Sequence, residues 1–522
     1  MTDRYNSRCD QISNTGSLLP GCEQDPAAGQ AYEVLSMGNI LQKYRKMSVQ
    51  VRASFWFLIC SFLQKGISSI TTPIFTRLLT TDEYGQYGAF NSWLGIITIF
   101  VTLNLFYGVY TQGLVKFEEE RAVYSSSLQG LTLTMCLAWT AVYLPFRDFF
   151  NRFFSLTTVQ MLAMLVMIWS TAAFNFWAAE QRVTYSYRLL VILTLLVSAA
   201  KPAVGIFFVI HAEDKVTARI LGLALVELVG YSGLFIVQMI RGKVFYSGRF
   251  WRYAVLFNLP LVPHYLSQTV LASADRIMIR DLVGRSEAGI YNLAYQISLL
   301  MTLFNTALSQ TLSPWIYQKI KAGRAKEVSR IAFLAMGLIA CANLLLMLLA
   351  PEAVAIFAPK AYYNAIYVIP PVSMSVFFMF SYDLFAKFEF YFEKTSFIMV
   401  ASVAGALLNL VTNYIFIQKY GYYAAGYTTL FCYLVYAGGH YLMMNRVCDR
   451  YMDGIRPFPA GQYWTLALAF MAAGFVLLFT YQSRILRYGL ILAVIILAVI
   501  FRERVKEVVR SLADIRKAGK KK

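Results

Sequence analysis

Between about residue 52 and residue 501 the chain runs as apolar stretches of roughly twenty residues, separated by short polar connectors. A helix of that length crosses a hydrocarbon layer of about 30 Å. In such a layer every backbone N–H and C=O must find its partner within the protein, which leaves only helices and closed barrels as spanning forms. A spanning strand needs only about ten residues of alternating polarity. Runs such as "LLVILTLLVSAA" (189–200) are continuous instead. With 58% hydrophobic and 14% charged residues, the 522-residue chain also holds more apolar side chains than a water-soluble core demands. The expected class is an all-α polytopic membrane protein.

Fourteen spans are expected, at 52–76, 87–109, 123–145, 159–179, 188–210, 217–240, 252–280, 288–314, 329–350, 364–386, 397–417, 422–444, 463–481 and 486–501. With the N-terminus inside, the inner segments carry 33 of the 47 Lys and Arg residues. The positive-inside rule then supports an even number of spans with both termini cytoplasmic. The same distribution accounts for the formal charge of +19, which is spread over loops and tails and makes a nucleic-acid partner unexpected. The polar segment 1–50 reads as disordered and has no apolar core of a cleavable signal, so span 1 is expected to direct insertion. The tail 502–522 places Val505, Val508, Leu512 and Ile515 on one helical face among basic residues, as a helix on the anionic inner leaflet would. The seven cysteines form no CxxC pair and the three histidines are far apart, so neither a metal site nor a catalytic set is expected.

The connectors repeat. "PIFTRLLTTDEYGQYGAF" (73–90) and "IMIRDLVGRSEAGIYNLAYQ" (277–296) share Glu83/Glu287, Gly85/Gly289 and Tyr87/Tyr291 at an offset of 204. Span 1 to span 7 is an even number of crossings, so the two copies have the same orientation. The pattern predicts two six-helix bundles, 51–245 and 246–450, related by an axis along the membrane normal, with helices 13 and 14 (451–501) added. The glycines are expected to supply a turn, and Tyr87 and Tyr291 to sit in an interfacial belt.

Polar residues recur with the repeat. Thr98 and Thr102 match Thr302 and Thr306, while Ser61, Lys65 and Thr72 match His264, Gln268 and Asp275 at an offset of 203. Intervals of four and seven keep each trio on one helical stripe. Two such stripes suit an aqueous cavity between the bundles. The alternative is that Thr and Ser bond their own backbone or join helices. Lys65 lies deep in span 1, where a charge demands water or a partner such as Asp275 or Glu227. Asp275 and Arg276 could instead pair as an outer collar. Lys201 precedes Pro202 in span 5, where a broken helix would expose carbonyls. Asp383 is a candidate proton carrier, and Glu389 to Lys394 read as a solvated charge cluster.

At these residues the chain resembles the Wzx-type polysaccharide flippases of the multidrug/oligosaccharidyl-lipid/polysaccharide exporter superfamily. The likeness is sharpest at 73–90 and at 257–300, where Pro260, Pro263, His264, Ser267, Asp275 and Arg276 follow in order. The resemblance implies a bacterial inner-membrane protein that turns a polyprenyl-diphosphate-linked oligosaccharide from the inner to the outer leaflet. It also implies no cofactor, coupling to a proton or sodium gradient as in some relatives, and contacts with membrane lipids and other polysaccharide-assembly proteins. From the stripes, Lys65, Lys201, Arg276 and Arg280 are candidates for the diphosphate. Ser61, Thr72, Thr98, Thr102, His264, Gln268, Asp275, Thr302, Asn305 and Thr306 are candidates for the sugar. The rival readings are a drug/cation antiporter of the same superfamily and a membrane-embedded glycan polymerase or glycosyltransferase. Loops of about 13 residues leave little room for a catalytic domain.

Overall fold

The structure, a computed structural model, describes residues 49–500. The expected tails, 1–50 except its last two residues and 502–522, lie outside the described residues. The chain divides after Leu58 into two compact units, and both bundles belong to the second, from Ile59 on.

No strand occurs among the described residues. In chain order the helices are α1 (Val49–Leu78), α2 (Thr81–Thr102), α3 (Val109–Lys116), α4 (Arg121–Tyr143), α5 (Arg147–Phe154), α6 (Thr158–Val183), α7 (Tyr187–Ile210) and α8 (Lys215–Gly242). Then come α9 (Gly248–Asn258), α10 (Val262–Leu282), α11 (Arg285–Leu299), α12 (Thr302–Lys321), α13 (Val328–Leu348), α14 (Ala350–Phe357) and α15 (Ile369–Tyr391). Last are α16 (Thr395–Tyr420), α17 (Tyr423–Tyr451), α18 (Ala460–Thr480) and α19 (Arg484–Ile500).

Each of the fourteen expected spans coincides with a helix or with two helices in series. Span 7 is interrupted at Leu259–Leu261, where Pro260 and Pro263 remove backbone donors and the chain tightens into a 3-10 turn. Seven of the described helices, or eight if α4 and the strongly bent α5 form one span, are apolar and long enough to cross a membrane by length and composition alone. The helices α1, α2, α10, α11 and α12 are not among the seven. They carry the polar residues of the repeat, and α2, α10 and α11 among them meet between the two bundles.

The first bundle packs α2, α4, α6 and α8 around Phe90, Met164, Ile168 and Ile220 near one end, and α3, α4, α6 and α9 around Tyr110, Tyr124, Leu128 and Phe176 near the other, with α7 laid against α8. The second packs α12, α13, α15 and α17, with α18 outside them, around Met336, Phe377, Phe385 and Tyr463. A third cluster belongs to both. Phe75, Leu79, Tyr84 and Val209 of the first lobe join Ile279, Tyr291, Val354 and Tyr362 of the second. It lies at the end carrying the α1–α2 and α10–α11 connectors, the top of the molecule.

Gly85 and Gly289 sit inside α2 and α11, where they form no turn. A Cβ on Gly85 would overlap the carbonyl oxygen of Arg285 and lie 2.7 Å from the Gly289 nitrogen. A Cβ on Gly289 would overlap the carbonyl oxygen of Thr81 and lie 3.1 Å from the Gly85 nitrogen. Thr81 and Arg285 are themselves 204 residues apart. The two copies of the motif therefore cross each other on the pseudo-two-fold axis, and glycine is needed for backbone approach. The tyrosines depart from the belt as well. Tyr291 is fully buried, and the Tyr87 ring lies 3.5 Å beneath the Arg219 guanidinium.

Candidate functional site between the lobes

The two-fold makes α1 equivalent to α10 and α2 equivalent to α11 with α12. The α2–α10 seam is closed along its length: Thr269 approaches Gly95, Tyr265 approaches Tyr107, and Asn258 Nδ2 donates to the Leu103 carbonyl at 2.8 Å. The equivalent seam, α1 against α12, is different. Among the described residues no hydrogen bond, ion pair or ring contact joins residues 62–74 to the second lobe. At the top the lobes meet again. Thr76 Oγ1 donates to the Phe357 carbonyl at 2.6 Å, Tyr362 donates to the Thr80 carbonyl at 3.2 Å, and Ser286 and Thr81 hydroxyls are 2.7 Å apart.

From Ser61 to Ile74 no residue of α1 is buried, and Ser61 to Lys65 are all exposed, apolar Phe62 and Leu63 included. Beyond them an apolar stripe through Ile70 and Ile74 and a polar stripe through Lys65, Ser68 and the part-exposed Thr72 lie about 180° apart at 100° per residue. Lys65 stands on the polar stripe, exposed and without an ion-pair partner among the described residues.

The other cations differ. Lys201 Nζ lies 2.6 Å from Glu227 Oε1, while Thr171 donates to the second oxygen at 3.0 Å. Glu227 thus partners Lys201, and α7 runs unbroken through Pro202. Arg280 is buried, bonded to Asp281 at 2.7 Å and to the Phe154 carbonyl at 3.0 Å, a tie between the lobes. Arg276 is nearly buried against the Tyr295 ring and donates to the Ala272 carbonyl, with its Nε unpartnered. Asp275 accepts from the Tyr291 hydroxyl and the Arg276 N–H; it makes no collar with the Arg276 guanidinium.

The hydroxyls on the repeated positions turn to their own helices. Thr98, Thr102, Thr302 and Thr306 each donate to a carbonyl three or four residues back, as does Thr72 to Ser68. Asn305 donates to the Val376 carbonyl, and Gln268 to Ser402 and Tyr436 within the second lobe. His264 is half-buried with Nδ1 unpartnered. Of these, Thr306 remains exposed, and Gln310 one turn further along α12 joins it. Gln310 and Ser68 escaped the comparison of copies because their mates, Phe106 and Leu271, are apolar; exposure is what reveals them.

The Lys201–Glu227 pair gives a stability prediction. Glu227→Ala leaves a part-buried cation without its partner and should destabilise the protein by about 1–3 kcal/mol, below the full cost of a dry pair because Lys201 is 29% exposed. Thermal unfolding in detergent reads this, and the Lys201→Met/Glu227→Gln double variant should recover most of the loss.

Two lobes repeated in parallel, meeting on glycine-lined helices with a polar seam, define a membrane transporter fold of the exporter superfamily. The chain belongs to the polysaccharide biosynthesis protein family, whose model matches residues 51–320. A second model, MatE, matches 260–415. An uncharacterized membrane protein of Haemophilus influenzae is 22% identical over 379 residues, 69% of this chain and 88% of that one. Among solved structures, the lipid II flippase MurJ in an inward closed conformation aligns with TM-score 0.66 at 13% identity, covering 86% of this chain and 99% of that one. An inward-facing multidrug resistance MATE family transporter aligns with TM-score 0.57 at 12% identity, over 75% and 96%.

Proposed function

We propose that this protein moves a polyprenyl-diphosphate-linked oligosaccharide from the cytoplasmic to the outer leaflet of a bacterial inner membrane, by alternating access and with both termini cytoplasmic. The observation that carries the reading is Lys65: an exposed ammonium without an ion-pair partner among the described residues, on the polar stripe of a helix whose middle is unpacked. Diphosphate and sugar cannot cross hydrocarbon unaided, because each desolvated polar group costs several kcal/mol. In this scheme the headgroup passes between α1 and α12, where Lys65 supplies a cation and Ser68, Thr306 and Gln310, all exposed, supply groups to replace water. The open α1–α12 seam lets the polyprenyl chain stay in the bilayer, and rocking of the lobes exposes the headgroup on either side. Lys201 and Arg280, already engaged, serve the scaffold in this scheme; Arg276 becomes available only if its lobe moves. Lys201 takes Glu227 away from a drug/cation antiporter, which would have to use Glu180, bonded to the Gln238 amide, as its first-lobe carboxylate.

Proteoliposomes containing the protein and a polyprenyl-diphosphate oligosaccharide should equalise that lipid across the bilayer faster than empty vesicles. Equal rates, or glycan elongation in place of movement, would overturn the proposal. Alternating access also requires the top to open. Thr81→Cys/Ser286→Cys should form a disulfide across the lobes, because the native oxygens are 2.7 Å apart. Oxidation should stop flipping and a reductant should restore it.

A further inference from the structure

The second lobe buries a titratable pair away from the seam. Glu389 in α15 and His440 in α17 are both fully buried, with His440 Nδ1 2.9 Å from Glu389 Oε1. This replaces the solvated cluster expected at Glu389. Their outer atoms, Glu389 Oε2 and His440 Nε2, are buried and have no hydrogen-bond partner. A pair serving only to hold helices together would be expected to satisfy those atoms, since unmade buried hydrogen bonds are costly.

The repeat provides an internal comparison. In the first lobe the equivalent helices, α6 and α8, also carry a glutamate with a partner: Gln238 Nε2 donates to Glu180 Oε2 at 2.6 Å. An amide cannot titrate, whereas an imidazole can. The two lobes thus share an architecture, and only the second has built a proton acceptor into both members.

Aromatic rings close around the imidazole: Tyr436 at 4.6 Å, Phe397 at 5.5 Å and Tyr382 at 5.6 Å between centroids. The other charged groups nearby are occupied. Asp383 on α15 pairs with Lys387 at 2.7 Å and accepts from Ser309 of α12, and Lys394 before α16 lies over the Tyr451 ring. From α10 comes neutral Gln268, from α17 Tyr433 and Tyr441, and from α18 Tyr463. With one shared proton the pair is net neutral; without it the pair carries a charge that a dry site resists and a hydrated one tolerates. Hydration changes when lobes move. The site also connects to the seam: His440 packs on Tyr436, whose hydroxyl meets Ser402 and Gln268, and the next residue of α10, Thr269, packs on Gly95 of α2.

We propose that Glu389 and His440 form a one-proton binding site whose occupancy is linked to the relative position of the lobes, so that protons bias the transport cycle. This rests on the alternating-access reading above. A difference of about one pKa unit between two lobe arrangements changes their ratio tenfold. The full chain in nanodiscs, spin-labelled at exposed Tyr185 and Lys321 after substitution by cysteine in a background without the native cysteines, should show a tenfold or larger change in that ratio between about pH 5 and pH 8. Glu389→Gln should abolish the change, and His440→Gln, which copies the first lobe, should do the same. Infrared difference spectra of the unlabelled wild type should show a carboxylic-acid band that titrates over the same range, a measurement that needs no variant to fold. A wild-type ratio indifferent to pH, a Glu389→Gln protein that keeps the response, or no titrating band overturns the proposal. Because no substrate is used, a failed flipping assay beside an intact pH response would sink only the substrate assignment.

Discussion

Lys65→Ala should insert, fold and melt like the wild type, yet flip its lipid-linked substrate roughly ten- to a hundredfold more slowly. The first half follows from exposure. The ammonium has no ion-pair partner among the described residues, so its removal leaves nothing buried and unpaired, and surface changes of that kind shift stability by about 0.5 kcal/mol or less. The second half follows from charge. A hydrogen bond to an ionised phosphate in a cavity shielded from bulk water contributes about 1.5–3 kcal/mol, and this factor appears in the rate when the bond forms as the headgroup enters the low-dielectric path. Lys65→Arg should retain much of the activity because it keeps the charge, although the planar guanidinium changes the reach. Reconstituted flipping rates at matched protein density, read beside thermal unfolding, separate the two halves. Wild-type flipping by Lys65→Ala would remove this residue from the substrate path.

The span pattern was legible because hydropathy and helix length report directly on a helix in lipid, and every expected span finds a helix or a pair of helices. The duplication was legible too, since Glu83, Gly85 and Tyr87 recur with one offset. Their physical role was not. A glycine reads in sequence as turn or close approach alike, and only the three-dimensional crossing of α2 over α11 decides for approach. The same ambiguity affected the polar stripes. Periodicity correctly placed Lys65 and Thr72 on one face, but it could not tell a hydroxyl facing water from one bonded to the previous turn, as Thr98 is. It also could not tell a free cation from Lys201, whose partner lies 26 residues away on α8. Long-range pairing such as that of Glu389 with His440 leaves no local signature at all. Both residues looked ordinary until the fold brought them together.

The glycine crossing supplies the other large effect. Gly85→Ala adds one methyl group at a point where the Arg285 carbonyl and the Gly289 nitrogen already occupy the space. Neither obstacle is the end of a flexible side chain, so the helices must separate or bend, and overpacking of this sort costs about 1–3 kcal/mol. Gly289→Ala meets the Thr81 carbonyl in the mirrored position and should cost a similar amount. Larger residues at either site should prevent accumulation of folded protein. Gly233 in α8 and Gly337 in α13 give the control, since a Cβ there meets nothing within 4 Å. Alanine at those positions removes backbone freedom from the unfolded chain and should raise the unfolding temperature slightly. Thermal unfolding of the four single variants in one detergent tests the contrast. Equal melting of Gly85→Ala and Gly337→Ala would mean that the two halves do not bear on each other at the axis. If the contrast holds, the repeated motif is where α2 and α11 close the top against each other, and opening the top must part them at Gly85 and Gly289, beside the Thr81–Ser286 contact.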